Sequence, residues 1–400
     1  MTTAYDLLAG TLAARGDDIE RVESRLRAQR VETPSWAFGN SGTRFAVFAQ
    51  PGAPRTTFEK LEDAAEVNRY TGIAPSVALH IPWDRVDDFG ELLEAAAALG
   101  LRLGAINPNL FQEDEYRLGS VCNPDPQTRR AAIDHILECV EIAGQTGSDA
   151  ISLWLGDGTN YPGQDSLGDR RARLVESLAE VYAALPEPIA LLIEYKFYEP
   201  AFYATDLADW GSAVTLCQEL GARARVLVDL GHHAQGVNIE QIVTLLRRLD
   251  RLGGFHFNDR KYGDDDLIVG SIDPYQLFLI FHELVETGAV EAGTRLTLDQ
   301  SHNVEPKIEA LIQSVITLQE TYAKALLVDR DALRQAQLSG DILGANRILT
   351  DAFSTDVRPL CAKVRVDLGA SADPLADFRA AGYLAAVAEK RGHGTPAGWR

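Results

Sequence analysis

Eight short apolar runs, each followed by a stretch with helical spacing, set the tightest condition on what this 400-residue chain can fold into. They fall at 45–49, 77–81, 101–106, 150–155, 190–196, 225–229, 254–258 and 296–299. Between them apolar positions recur every three or four residues, as at Phe89, Leu92, Leu93 and Ala96. Helix ends punctuate the pattern: Gly100 closes one stretch, and Asp125 followed by Pro126 opens another. Runs that are apolar along their whole length are buried on both faces, the condition of a parallel sheet covered by helices. Eight such units predict an α/β fold closed into a (β/α)8 barrel. A doubly wound open sheet is the competing arrangement. Against it, no glycine-rich phosphate loop follows the first run, and polar residues stand at the ends of nearly every run, where a barrel keeps its working face.

The flanks read differently. Residues 1–34 form an N-terminal helical segment with Ile19, Val22 and Leu26 at helical spacing, 35–328 form the barrel, and 329–400 form a C-terminal helical extension expected to serve oligomerisation. A formal net charge of -20 and a pI near 4.8 argue against nucleic acid and anionic membranes as partners, because phosphate contacts need a basic surface. No apolar run approaches the roughly 18 residues of a membrane span, and the first residues lack a basic segment followed by an apolar core. The expected location is the cytoplasm. Cys122, Cys139, Cys217 and Cys361 form no CxxC pair, so they are expected to be reduced and structural.

The chemistry gathers at the last four runs. Glu194, Asp229, His256 and Asp299 stand at or next to their ends, and consecutive barrel strands are neighbours, so the four side chains converge. Any one of these acids taken alone is as well explained by a cap or salt bridge, but four at equivalent places point to a shared ion. Carboxylate oxygens mixed with imidazole nitrogen suit Mn, Co, Zn or Mg. A second set consists of His232, Asp264 and Asp266, the two aspartates pointing the same way if the DDD segment is extended. A second cation beside the first would neutralise the crowding, with Asp229 as the bridge.

Lys196, two residues past Glu194, projects to the same side and is placed to polarise a carbonyl oxygen. His80 and Asp84 follow the second run and read as an oriented acid/base pair for opening a sugar ring. Trp36, Phe48 and Trp154 offer flat apolar walls for the CH faces of a sugar, and Asn107 and Asn109 offer hydrogen bonds to its hydroxyls.

On these motifs, IEYK at 193–196, DLGHH at 229–233, HFNDRKYGDDD at 256–266 and LDQSHN at 298–303, the chain resembles the xylose-isomerase-like TIM-barrel superfamily. Within it, the chain is most similar to the broad-specificity bacterial L-rhamnose isomerases, over roughly residues 35–330. The resemblance implies a structural metal at Glu194, Asp229, His256 and Asp299 and a catalytic metal at His232, Asp264 and Asp266, usually manganese, in a homotetramer. It implies that hydroxyls on C1, C2 or C3 of an aldose or ketose ligate the metals, that Lys196 contacts the carbonyl end, and that Trp154 and His80 line the sugar pocket. His256 stands where xylose isomerases proper have an aspartate, which favours the rhamnose branch. The expected reaction is an aldose-ketose interconversion by hydride shift, since no unligated glutamate pair is evident to abstract a carbon-bound proton. A ketose 3-epimerase would use one metal and two glutamates, an apurinic endonuclease would need a basic face, and a sugar-binding protein would need neither two metals nor Lys196.

Overall fold

The computed structural model describes residues 3–40 and 48–392. Eight parallel strands close into a barrel in chain order: β1 (Glu32–Pro34), β2 (Ser76–Ile81), β3 (Arg102–Pro108), β4 (Ala150–Trp154), β5 (Ala190–Glu194), β6 (Ala224–Asp229), β7 (Leu252–Phe257) and β8 (Arg295–Leu298), with β8 returning to β1. The expected α/β barrel is therefore the observed fold. Between the strands and the surrounding helices lies the main apolar core, built from residues such as Leu61, Ile106, Ile151, Phe257 and Phe281. A smaller cluster of Ala78, Ala105, Ala150, Leu192 and Leu227 fills the inside.

The first strand is a correction. The apolar run at 45–49 is not β1: residues 45–47 lie outside the described residues, and β1 is the short polar segment Glu32–Pro34. It passes unnoticed as a strand because its inward side chain is an acid. The Glu32 carboxylate is buried at the barrel floor, where Ser76 Oγ donates at 2.6 Å, Thr297 Oγ1 at 3.3 Å and the Ala105 amide at 3.4 Å. Gly104 leaves the space: a Cβ there would stand 1.9 Å from Glu32 Oε2.

Two helices precede the barrel where one long stretch is expected, Ala4–Arg15 and Ile19–Ala28, separated at Gly16 in the left-handed region (φ 95°) and restarted by the Asp18 cap. After β8, helix Lys307–Leu326 completes the barrel, and the helices from Arg330–Ser339 to Tyr383–Arg391 form the extension. Much of that extension packs on its own barrel, burying Leu360, Cys361, Val364 and Phe378. Arg391, 4% exposed, reaches the Asp63 carboxylate at 2.9 and 3.0 Å and the Gly52 carbonyl at 3.1 Å. The tip joining Arg330–Ser339 to Ile342–Ser354 instead exposes Leu338, Ile342 and Leu343. The four cysteines are free and buried, and among the described residues no helix is long and apolar enough to cross a membrane.

The barrel floor yields a test. Gly104→Ala should lower the unfolding free energy by about 1–3 kcal/mol in denaturant titration, because the methyl displaces Glu32 from its partners. The loss should shrink in a Glu32→Ala background; an equal loss in both backgrounds would remove Glu32 as the cause.

Candidate metal and sugar site

At the carboxyl end of the barrel, Glu194 ends β5, Asp229 ends β6, His256 lies in β7 and Asp299 follows β8. The pairing of Asp229 with His256 across β6 and β7, and the amide of Asp299 on the Phe257 carbonyl at 3.0 Å, set these tips side by side. One donor atom from each of Glu194, Asp229, His256 and Asp299 lies within 4.8 Å of the others, and the same holds for Asp229, His232 and Asp264. The first expected set is thus assembled whole. Asp266 is buried in the cavity wall with its backbone left-handed (φ 49°), but it stands outside the tight second group.

The supporting contacts explain why the motifs read as they do. Gly231 of DLGHH is required by a close approach, since a Cβ there would sit 2.6 Å from Asp264 Oδ1. Its amide donates to Asp229 Oδ1 at 2.6 Å, and the Asn258 amide donates to both Asp229 oxygens at 3.0 and 3.1 Å. His232 Nδ1 lies 3.0 Å from the Tyr195 carbonyl, to which its N–H can donate, and this sets the ring's orientation and turns Nε2 toward Asp264 at 3.5 Å. Lys196 donates to Asp264 Oδ2 at 2.8 Å, with its ammonium 5.1 Å from the Trp154 ring centre. Asp265, between the two site aspartates, turns away to accept the amides of Lys261 and Tyr262.

Electrostatics describe a site short of positive charge. Burial, reinforced by Asp264, Glu194 and Asp299, pushes the Asp229 carboxyl up to about 7. Burial and the neighbouring Asp264, Asp299 and Asp229 hold Asp266 well above the carboxylate range. Burial opposes charge on His232, yet Asp229 and Asp264 outweigh it and raise the imidazole to about 9; burial likewise opposes charge on His256, but Glu194 and Asp299 hold that imidazole well above its ordinary range. Asp264 is held low despite burial, by His232 and Lys196. Protons on imidazoles and carboxyls are thus neutralising what a cation would neutralise. Asp264 Oδ1 and Asn258 Oδ1 are buried without a protein partner among the described residues. Hard oxygens, imidazole nitrogens and an orphaned carboxylate oxygen fit one or two divalent ions.

A cavity of about 350 Å3 lies over this cluster, with Trp36, Trp83, Phe111, Trp154 and Phe202 on its walls. His80 is there too, its ring stacked on Trp83 at 3.9 Å and its pKa pushed down to about 3 by burial, so the ring is neutral. Trp36 Nε1 donates to Asp299 Oδ1 at 2.8 Å, joining wall to ligand set. Three expectations are corrected. Phe48 is 69% exposed and is not among the residues lining the cavity, the first barrel strand being Glu32–Pro34. Asp84 does not orient the His80 ring: its carboxylate is occupied by Lys60, Ser35 and the His80 backbone amide. Asn107 lines the cavity, whereas Asn109 holds its own loop through Phe111, Gln112 and the Gln112 side chain. Trp83, Phe111, Phe202, Glu199 and Asn258 were not singled out from sequence; Trp83, two residues after the end of β2, and Asn258, inside the HFNDRKYGDDD motif, carry a positional signal.

A closed parallel barrel with carboxylates and imidazoles gathered at its carboxyl end defines a (β/α)8 protein whose cavity carries a donor set that could hold a metal ion. The chain belongs to the family described as Xylose isomerase-like TIM barrel, which matches residues 61–290. It is 48% identical to a probable sugar isomerase of Rhizobium meliloti (strain 1021), over 98% of this chain and 93% of that protein. A probable sugar isomerase of Mesorhizobium japonicum is 47% identical over 97% of this chain and 92% of its own length. Among solved structures, an L-ribulose 3-epimerase superposes with a TM-score of 0.55 at 16% identity, covering 78% of this chain and 98% of that one.

The charge balance predicts a pH dependence. A cation must displace the proton from Asp229, whose raised pKa of about 7 places that displacement near neutrality. Manganese affinity of the chelated protein, measured by titration calorimetry, should strengthen as pH rises from about 5 to 8. In the metal-free protein the stability contributed by Asp229 should fall over the same range, read as the difference in unfolding free energy between wild type and Asp229→Asn, since a raised carboxyl pKa contributes stability that is lost as pH climbs through it.

Proposed function

We propose that this protein is a metal-dependent aldose-ketose isomerase acting on L-rhamnose to give L-rhamnulose. The observation that carries the reading is the pair of buried donor groups sharing Asp229, with Lys196 beside them, facing an aromatic cavity of monosaccharide size. The names of the two near full-length relatives, both probable sugar isomerases, support the same class. We assign Glu194, Asp229, His256 and Asp299 to one cation and His232, Asp264 and Asp266, with Asp229 shared, to a second. Two manganese ions per subunit are proposed, with cobalt, magnesium or zinc able to take their place. When bound, these ions supply Lewis acidity to the first oxygens of the sugar.

The chain's own groups do the rest. Lys196, charged and fixed on Asp264, donates a hydrogen bond to O1 and holds the carbonyl end in place. The neutral His80 ring, seated on Trp83, faces the ring oxygen and assists opening of the cyclic form. Trp36 and Trp154 cover the CH face and exclude water. In the open chain the hydrogen on C2 passes with its electron pair to C1 as a proton passes from O2 to O1, converting the aldehyde to a primary alcohol and the C2 alcohol to a ketone. Among the described residues one cavity glutamate, Glu199, stands outside the assigned ligand set, and it does not make the pair that an epimerase's proton exchange employs. We further propose a cytoplasmic homotetramer, to which the exposed tip at Leu338, Ile342 and Leu343 offers an apolar contact.

Two measurements decide the reading. Because the cavity wall away from the carboxylates is aromatic, a methyl at C6 should be preferred to a hydroxymethyl: kcat/KM for L-rhamnose should exceed that for L-mannose by about tenfold or more. Turnover of neither, with epimerisation of a ketose at C3 instead, would replace the isomerase by the epimerase reading. Isomerisation of C2-deuterated L-rhamnose should leave the label on C1 of the product; extensive washout into water would refute direct transfer.

A further inference from the structure

We propose that a second, polar cavity beside the catalytic one is a subsite for a further glycosyl unit, so that the protein also accepts a reducing disaccharide whose aldose end enters the catalytic cavity. For the reacting unit this rests on the function proposed above. The second cavity measures about 560 Å3, enough for a hexose unit, and the two cavities share Phe111 and Pro200 as a common wall. Gly156 permits that wall to pack down behind β4, a Cβ there standing 3.1 Å from Phe111 Cβ and 3.4 Å from Pro200 Cγ. A ligand crossing Phe111 and Pro200 therefore passes directly from one cavity to the other.

The chemistry of the second cavity is that of hydroxyl recognition. Gln112 Oε1 accepts from Trp83 Nε1 and from Asn109 Nδ2, each at 2.8 Å. Gln164 Oε1 accepts the Asn160 amide at 2.8 Å, and Asn160 Oδ1 accepts the Phe202 amide at 3.0 Å. With all three side-chain oxygens committed, the three NH2 ends are fixed as the free donors, and none has a partner among the described residues. Arg117 adds a guanidinium with no carboxylate within ion-pair distance among those residues, and Glu113 and Asp114 add acceptors. Donors and acids on one wall disfavour an anion and suit a neutral polyhydroxylated ring, which both accepts and donates. Asn160 directly follows the short antiparallel pair of Gly158–Thr159 with Ala204–Thr205 and binds the Phe202 amide beside it, while Gln164 is tied to the Asn160 backbone; Phe202 lines the catalytic cavity. The two cavities are thereby built on one scaffold.

The test compares an aldose that the enzyme turns over with its 3-O- and 4-O-glucosyl derivatives, in the wild type and in Arg117→Ala and Gln164→Ala. It adds saturation-transfer NMR with methyl β-D-glucopyranoside, which has no free carbonyl carbon and cannot isomerise. At least one derivative should match the parent in kcat/KM, and each substitution should raise the KM of that derivative about tenfold relative to the parent's, the loss of one or two hydrogen bonds. Transfer to the methyl glucoside should weaken in both variants. Turnover of the parent with none of either derivative, or an equal effect of the substitutions on both, overturns the subsite. If no aldose reacts at all, the functional reading fails and the NMR arm still decides: transfer lost in the variants supports the subsite, and no transfer to the wild type rejects it.

Discussion

Crowded carboxylates at the mouth of the barrel are the constraint around which the rest is arranged. Two like charges 4 Å apart repel by about 4 kcal/mol at a protein-like effective dielectric constant of ~20. Glu194, Asp229 and Asp299 offer oxygens within 4.8 Å of one another, with Asp264 joined through Asp229. Such a group cannot stay ionised and buried without compensation. The protein supplies only part of it: Lys196 on Asp264, the Asn258 amide on Asp229, the Trp36 indole on Asp299, and protons on His232 and His256. A cation would supply the remainder, and a site kept short of positive charge would give an incoming ion its grip.

Holding such a cluster together requires a frame that does not relax. Parallel pairing delivers it: β4 and β5 place Trp154 level with Glu194, and β6 and β7 place Asp229 level with His256. Between β5 and β6 the level partner of Glu194 is Leu227, two residues short of Asp229, so the tips climb around the rim as the stagger of a closed barrel demands. At the opposite end Glu32 meets Ser76 and Thr297 and ties β1 to β2 and β8. One buried carboxylate is satisfied at the floor and several are left wanting at the mouth; that contrast separates the structural end of the barrel from the chemical one.

The barrel and the convergence of acids and imidazoles at its mouth were legible because both follow from chain-local rules. Apolar runs alternating with helical spacing imply the closed sheet, and acids or imidazoles at the ends of adjacent runs must converge once it closes. What was not legible depends on contacts between distant segments. Glu32–Pro34 is a strand only because Ser76 and Thr297 receive its acid, and nothing within three residues announces that. Asp84 looked like a partner for the His80 ring on spacing alone, but Lys60 and Ser35, from elements far off in the chain, claim it first. Phe48 failed for the same reason as the strand it was assigned to. The walls formed by Trp83, Phe111 and Phe202 come from loops, whose paths are set by packing against one another.

That division of labour bears on how the protein chooses what it binds. The ends of β5 to β8 fix donor atoms at short range and can grip only the two or three oxygens nearest the reacting carbons, which most sugars share. Discrimination therefore falls to the loops after β2 to β5, where Trp83 is pinned by Gln112, and Phe202 by Asn160. Each of these aromatic walls is held by an amide whose oxygen is committed and whose NH2 end is left for something else. The same side chains that close off an apolar cavity for one end of a sugar thus present a polar face behind it. A sequence change in either amide would be felt on both sides of the wall.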